Sequence, residues 1–150
     1  MGIVIIGSVA IDTIKTPFGQ ADEILGGSAT YASFAASIFS PVRLISIAGK
    51  DFPDKYIQRF KQHNIDISGL KICEGTTFRW TGHYGENLNE AHTISVCPEN
   101  LTAGSLKIPV HYNDTDYLFL ANTDPEVQNY LLNHIKPKKF IVLDTMNLWI

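Results

Sequence analysis

Four short apolar runs punctuate the chain: GIVII (2–6), VRLISIA (42–48), DYLFLA (116–121) and FIVLD (140–144). Each is rich in β-branched or aromatic residues, too short for a helix, and bounded by turn or cap residues, which predicts strands. Their hydrophobicity is nearly continuous instead of alternating, so both faces should be covered, as in a parallel sheet. Helical spacing fills the intervals. Residues 28–39 place Tyr31, Phe34 and Ile38 on one stripe, with Ser28 as N-cap and a stop before Pro41. Residues 52–65 carry Pro53 near a first turn, then Tyr56, Ile57 and Phe60 at helical spacing. Residues 124–137 begin with Asp124 as N-cap and Pro125 at the first helical position, and align Val127, Tyr130, Leu131 and His134. Strand–helix alternation of this kind predicts an α/β fold, a doubly wound, mostly parallel sheet flanked by helices.

The middle of the chain departs from that rhythm. In residues 76–97, Phe78 and Trp80 alternate with Arg79 and Thr81. After the polar loop GENLNE, His92, Ile94 and Val96 alternate with Thr93, Ser95 and Cys97. Period-two alternation on both sides of a polar loop predicts a β-hairpin with one more apolar face. Residues 13–24 are also extended and polar, interrupted by Pro17 and Gly19. The two pieces are expected to pair into a small sheet beside the main one, as lid segments at about 13–24 and 71–98. The last residues, DTMNLWI, stay apolar, and four parallel strands leave an edge in want of a neighbour. The expectation is a first half of a chain about twice as long.

Composition narrows the picture only slightly. With 150 residues, 45% hydrophobic, the chain can bury roughly 70% of its unfolded surface and needs no staples. A formal charge of −3 argues against a nucleic-acid partner, and no run of like charges suits a membrane surface. Cys73 and Cys97 lack metal or redox spacing and read as reduced thiols. The N-terminus has no basic signal region, so the sequons at Asn100 and Asn113 carry no weight and a cytoplasmic location is expected.

Chemical candidates gather at predicted strand ends. G-x-G-x-x-G does not occur, and AGKD (48–51) lacks the earlier glycine and the Ser or Thr of a phosphate loop. The five histidines show no metal-ligand spacing. What remains is Asp12 after the first strand, Gly26-Gly27 at a helix start, Asn122 after LFLA, and Asp144 and Asn147 after FIVL. Ligands of doubly wound sheets bind beyond the carboxyl ends of the strands. There a glycine pair admits a ligand that a Cβ would exclude, and carboxylates and amides grip sugar hydroxyls.

In order along essentially the whole chain, these residues resemble the ribokinase-like (phosphofructokinase-B) carbohydrate kinases. IVIIGSVAIDTI resembles their opening strand with its substrate-contacting Asp. LGGSATYASFAAS resembles their first signature, a Gly-Gly turn entering an Ala-rich helix. VRLISIAGKDFPDKYIQRFKQHNIDISGL, TFRWTGHYGENLNEAHTISV and VLDTMNLWI follow as the strand–helix–turn stretch, the lid strands and a D-x-N stretch. The resemblance implies an enzyme that transfers the γ-phosphoryl group of ATP, with Mg2+, to a hydroxymethyl group of a sugar or, within the same class, a nucleoside. It implies that Asp12 accepts hydrogen bonds from hydroxyls, that Gly26 and Gly27 present backbone amides, and that Asn122, Asp144 and Asn147 assist. Phe78 and Trp80 would line a lid that closes over the substrate or pairs two copies into a homodimer. Tyr31 stands where many relatives carry Asn, which points to a substrate unlike theirs. The family's Gly-Ala-Gly-Asp signature, with the catalytic base and anion hole, does not occur among these residues, so no catalytic residue is assigned. The alternative is a non-catalytic sugar-binding or dimerising module.

Overall fold

The computed structural model describes residues 2–97 and 101–145. Its centre is a five-stranded parallel sheet, in spatial order β5-β4-β1-β8-β9, formed by β1 (Ile3–Ile6), β4 (Val42–Gly49), β5 (Ile65–Cys73), β8 (Tyr117–Leu120) and β9 (Phe140–Leu143). β1 lies in the middle, with Ile5 opposite Leu44 on one side and Phe119 on the other. Successive residues of β1 point to opposite faces. Ile5 therefore joins the core beneath α1 (Ser28–Ser37) and α2 (Asp54–Gln62), where Phe34 stacks on Phe60 at 5.3 Å. Val4 and Ile6 join the opposite core, closed by Val127, Leu131 and Ile135 of α3 (Pro125–His134) and its end. Helices on both faces explain why β1, β4 and β8 read as unbroken apolar runs; β9, expected to be covered as well, is exposed along its length at the sheet edge among the described residues.

Two insertions leave this layered body. β2 (Ala10–Thr16) and β3 (Gly19–Gly26) lie between β1 and α1, and β6 (Phe78–Tyr84) and β7 (Ala91–Cys97) lie between β5 and β8. They assemble a second, four-stranded sheet in the order β3-β2-β6-β7, joined by parallel pairing of β2 with β6. This second sheet is built from the segments expected to form a lid and is called the lid below.

Three further expectations change. The main sheet has five strands, because residues 65–73 form β5; Asp66, Ser68 and Gly69 disguise it as a turn, and residues 71–73 lie in the main sheet instead of the lid. The cap of α1 is Gly27, not Ser28, whose side chain is occupied elsewhere. The hairpin alternation fails at Ile94, where Thr81 pairs with Ser95 but Gly82 with Thr93. One extra residue at a bulge moves everything beyond it to the other face.

β5 also bulges, and a buried tyrosine fills the defect. The Tyr112 hydroxyl donates to the Asp66 carbonyl at 2.9 Å and accepts from the Gly69 N–H at 3.2 Å. Burial alone would raise the Asp66 carboxyl, but hydrogen bonds from Ser68 and His111 outweigh it and hold the value at about 2. Tyr112→Phe keeps the shape and strands both groups, so it should cost about 1–3 kcal/mol. A urea midpoint equal to that of the wild type, at equal slope, would refute this account of the plug.

Candidate functional site

Where the lid meets the carboxyl ends of the main strands lies a cavity of about 320 Å³ lined by Ala10, Asp12, Gly27, Phe78, Trp80, Thr93, Val96 and Asn122. It is smaller than some surface hollows elsewhere, such as one of about 440 Å³ at the lid's far end, but it gathers Asp12, Gly27 and Asn122 from the strand ends. Its position agrees with the rule for doubly wound sheets.

The floor is built by a long-range serine relay. Gly7 to Val9 turn the chain out of β1, and Ser8 meets the start of α1 there. Its Oγ accepts from the Ser28 N–H at 3.1 Å, and its carbonyl from the Ala29 N–H at 3.0 Å. The Ser28 hydroxyl donates to the Asn122 carbonyl at 2.8 Å. One hydroxyl thus fixes the backbone of Asn122, just beyond β8, against the helix start. The glycines permit this crossing. Gly27 has φ +95°, and a Cβ on it would fall 2.4 Å from the Ser8 carbonyl oxygen. A Cβ on Gly26 would fall 1.9 Å from Asp12 Oδ2. Gly26 therefore backs Asp12, while Gly27 lines the cavity.

Asp12 is 9% exposed, and its Oδ1 has no hydrogen-bond partner. Burial raises its carboxyl to about 6, with the backbone N–H of Gly27 pulling in the opposite direction. Asp12 lines the cavity, and a buried acceptor without a partner there is suited to hydroxyl or other donors from a ligand. Asp12 pairs in register with Trp80, so a carboxylate and an indole stand side by side on the lid. The indole is pinned: its Nε1–H donates to Thr93 Oγ1 at 3.0 Å, and Tyr84 meets it edge-on at 6.3 Å. Gly82 makes room for it, since a Cβ there would lie 2.2 Å from the ring.

Of the residues singled out in the sequence, Asp12, Gly27, Asn122, Phe78 and Trp80 converge on the cavity. Tyr31 does not line it. It is 58% exposed at the rim, its hydroxyl held above the usual range by burial and by the charges of Asp12 and Tyr84. Asp144 does not line it either: its N–H donates to the Leu120 carbonyl, its carbonyl accepts from Gln128, and its side chain is exposed. Asn147 lies outside the described residues. Sequence reasoning missed Thr93 and Val96, which only the bulge brings to one face, and the Ser8–Ser28 relay, for which the sequence carries no periodic signal.

A parallel α/β sheet whose strand ends are roofed by a second, four-stranded sheet is the fold of solved ribokinase-family structures. The comparisons agree. No protein-family model matches the sequence. The cytidine kinase of Thermococcus kodakarensis is 32% identical over 143 residues, 95% of this chain and 51% of that protein. A ribokinase from Cryptococcus neoformans, solved with ADP, superposes with a TM-score of 0.76 at 17% identity, over 98% of this chain and 50% of its own. The nucleoside kinase of Methanocaldococcus jannaschii superposes with a TM-score of 0.69 at 20% identity, over 96% and 52%. This chain spans about half the length of these relatives, which are sugar and nucleoside kinases. Among the described residues no helix is long and apolar enough to cross a membrane.

Proposed function

We propose that this chain forms the acceptor-binding half and the lid of an ATP-dependent kinase acting in the cytoplasm, and that the acceptor is a nucleoside whose hydroxymethyl group receives the phosphoryl group. The observation that carries the reading is the side-by-side placement of Asp12 and the pinned Trp80 in one cavity. Asp12 offers an unsatisfied acceptor for sugar hydroxyls, and Gly27 and Asn122 bring backbone and amide groups beside it. The indole, with Phe78 and Val96, offers a flat apolar wall that suits a base far better than a bare sugar. The relatives named above include two that act on nucleosides, which supports the same choice.

Phosphoryl transfer depends mainly on positioning and charge stabilisation in a site that excludes water. In this reading the chain's own residues do the positioning. ATP with Mg2+ would supply the transferred group, but the described residues do not fit them. Among these residues no group of three or more His, Cys, Asp or Glu side chains could hold a metal, and the cavity lining carries no cation. No step through ATP is therefore assigned to these side chains. The free lid edge β7, with Ile94 and Val96 exposed, supports pairing of two copies through their lids.

The test is a kinase assay on the protein encoded by the complete reading frame, offering nucleosides, pentoses and hexoses. Nucleosides should be used with kcat/KM at least tenfold above free ribose. Turnover confined to free sugars would overturn the nucleoside assignment, and turnover of none would overturn the kinase.

A further inference from the structure

On the outer side of the lid, away from the cavity, one guanidinium spans two elements. Arg79 directly precedes Trp80 on β6, so as Trp80 faces the cavity Arg79 faces outward. Its Nη2 donates to Asp51 Oδ2 at 2.9 Å and its Nη1 to Glu23 Oε1 at 2.8 Å. Asp51 belongs to the main body, between β4 and α2, and its other oxygen accepts from both the N–H and the hydroxyl of Thr77, each at 2.7 Å. The Thr77 hydroxyl accepts in turn from the Gly49 N–H at the end of β4. Gly49 itself leaves space for the crossing, since a Cβ there would lie 2.4 Å from the Gly75 carbonyl oxygen. Residues 74–77, the path from β5 into the lid, are thus stapled to the end of β4.

Glu23 supplies the second arm, and its geometry is unusual. It sits in the irregular register between β2 and β3 with φ +50°, a left-handed conformation rare for a side-chain-bearing residue. Its carbonyl accepts from the Tyr56 hydroxyl of α2 at 2.7 Å while its carboxylate reaches Arg79. Strained backbone held by several partners is a mark of a functional constraint. A carboxylate that takes a guanidinium and two Thr77 donors is a stronger tie than an isolated surface pair.

We infer that Arg79 is a positioning residue: through Asp51 it clasps the lid to the main body, through Glu23 it braces the lid strand that Tyr56 ties to α2, and it thereby sets the spacing between the lid wall (Phe78, Trp80, Thr93, Val96) and the floor (Gly27, Asn122). The consequence for acceptor binding rests on the kinase reading above. The mechanical consequence does not. Both are measured on the complete protein. Arg79→Gln should raise the acceptor KM at least tenfold while leaving the ATP KM within twofold. It should also speed amide hydrogen exchange in β6 and β7 at least tenfold over β1 and β4. Asp51→Asn should move both quantities the same way. Arg79→Lys, able to reach one carboxylate at a time, should fall between Gln and wild type.

Unchanged lid exchange in Arg79→Gln would overturn the clasp. Faster exchange with an unchanged acceptor KM would overturn its role in positioning. Should the wild type phosphorylate no acceptor, the kinase reading fails, and the exchange measurement alone still decides whether the clasp holds the lid.

Discussion

Replacing Asp12 by Asn is expected to make the folded protein more stable at pH 7 and a poorer binder of its acceptor. The native carboxyl is raised by burial to about 6, whereas the unfolded one titrates near 3.8. Between these values the folded state holds a proton that the unfolded state has lost, so stability falls as pH rises from about 4 to 6. Above that the cost is constant. Well below 3.8 both states are protonated and the effect is absent. The difference corresponds to roughly 3 kcal/mol between the two protonation states, part of which an unpartnered amide would give back, leaving a net gain of about 1–2 kcal/mol. In a domain of this size that is a rise of several degrees in Tm. Thermal unfolding of both proteins at pH 3 and pH 7.5 checks the sign: the variant's Tm relative to the wild type should rise from the lower pH to the higher. Equal Tm at both would show that the carboxylate is not strained by its burial. The same substitution removes a charged acceptor for hydroxyls and should weaken nucleoside binding by about 1.5–3 kcal/mol. A residue that costs the fold stability and serves the ligand is a familiar compromise in binding sites.

Trp80→Ala carries the second large effect. Stacking of a base on an aromatic ring is worth about 1–3 kcal/mol by alanine substitution, so nucleoside affinity should drop between roughly fivefold and 150-fold. Free ribose, which has no base to stack, should lose little. The selectivity is the informative quantity, since a general collapse of the lid would weaken both ligands together. Titration calorimetry with cytidine and ribose measures it. Gly82→Val reaches the same end from beneath the ring, because its side chain must displace an indole 2.2 Å from the Cβ position. If Trp80→Ala weakened ribose as much as cytidine, Trp80 would be a structural element of the lid and not a wall for the base.

The local pattern of residues was sufficient for much of the architecture. β1, β4, β8 and β9 fall on the four apolar runs, and the three helices fall within the three amphipathic segments, each shortened at its end. Asp124 caps α3 as its sequence indicates, accepting from the Glu126 N–H at 2.8 Å. These features are legible because period and capping are properties of neighbours in the chain. β5 escaped because Asp66 and Gly69, which look like turn residues, serve a bulge that Tyr112 fills from more than forty positions away. Thr93 escaped for a related reason: strict alternation set it on the face opposite Val96, and one bulged residue brought the two together.

The candidate site divides in the same way. Asp12, Gly27, Asn122, Phe78 and Trp80 could be read as candidates because each stands at a strand end or on an apolar strand face. Tyr31 at the rim and Asp144 outside the cavity show the limit of that reading, since proximity in sequence to a strand end does not aim a side chain.

The sequence by itself determined the segments of β1, β4, β8 and β9, those of the three helices, and that a polar set would collect at the strand ends. Apolar spacing and capping chemistry specify these within one element. Only the tertiary structure decided that β2 pairs with β6, placing Asp12 beside Trp80, that Ser28 anchors Asn122, and that Arg79 reaches Asp51 and Glu23. Such contacts join residues 28 to 94 positions apart, or depend on strand register. No local preference encodes them, because they exist only once the chain has closed on itself.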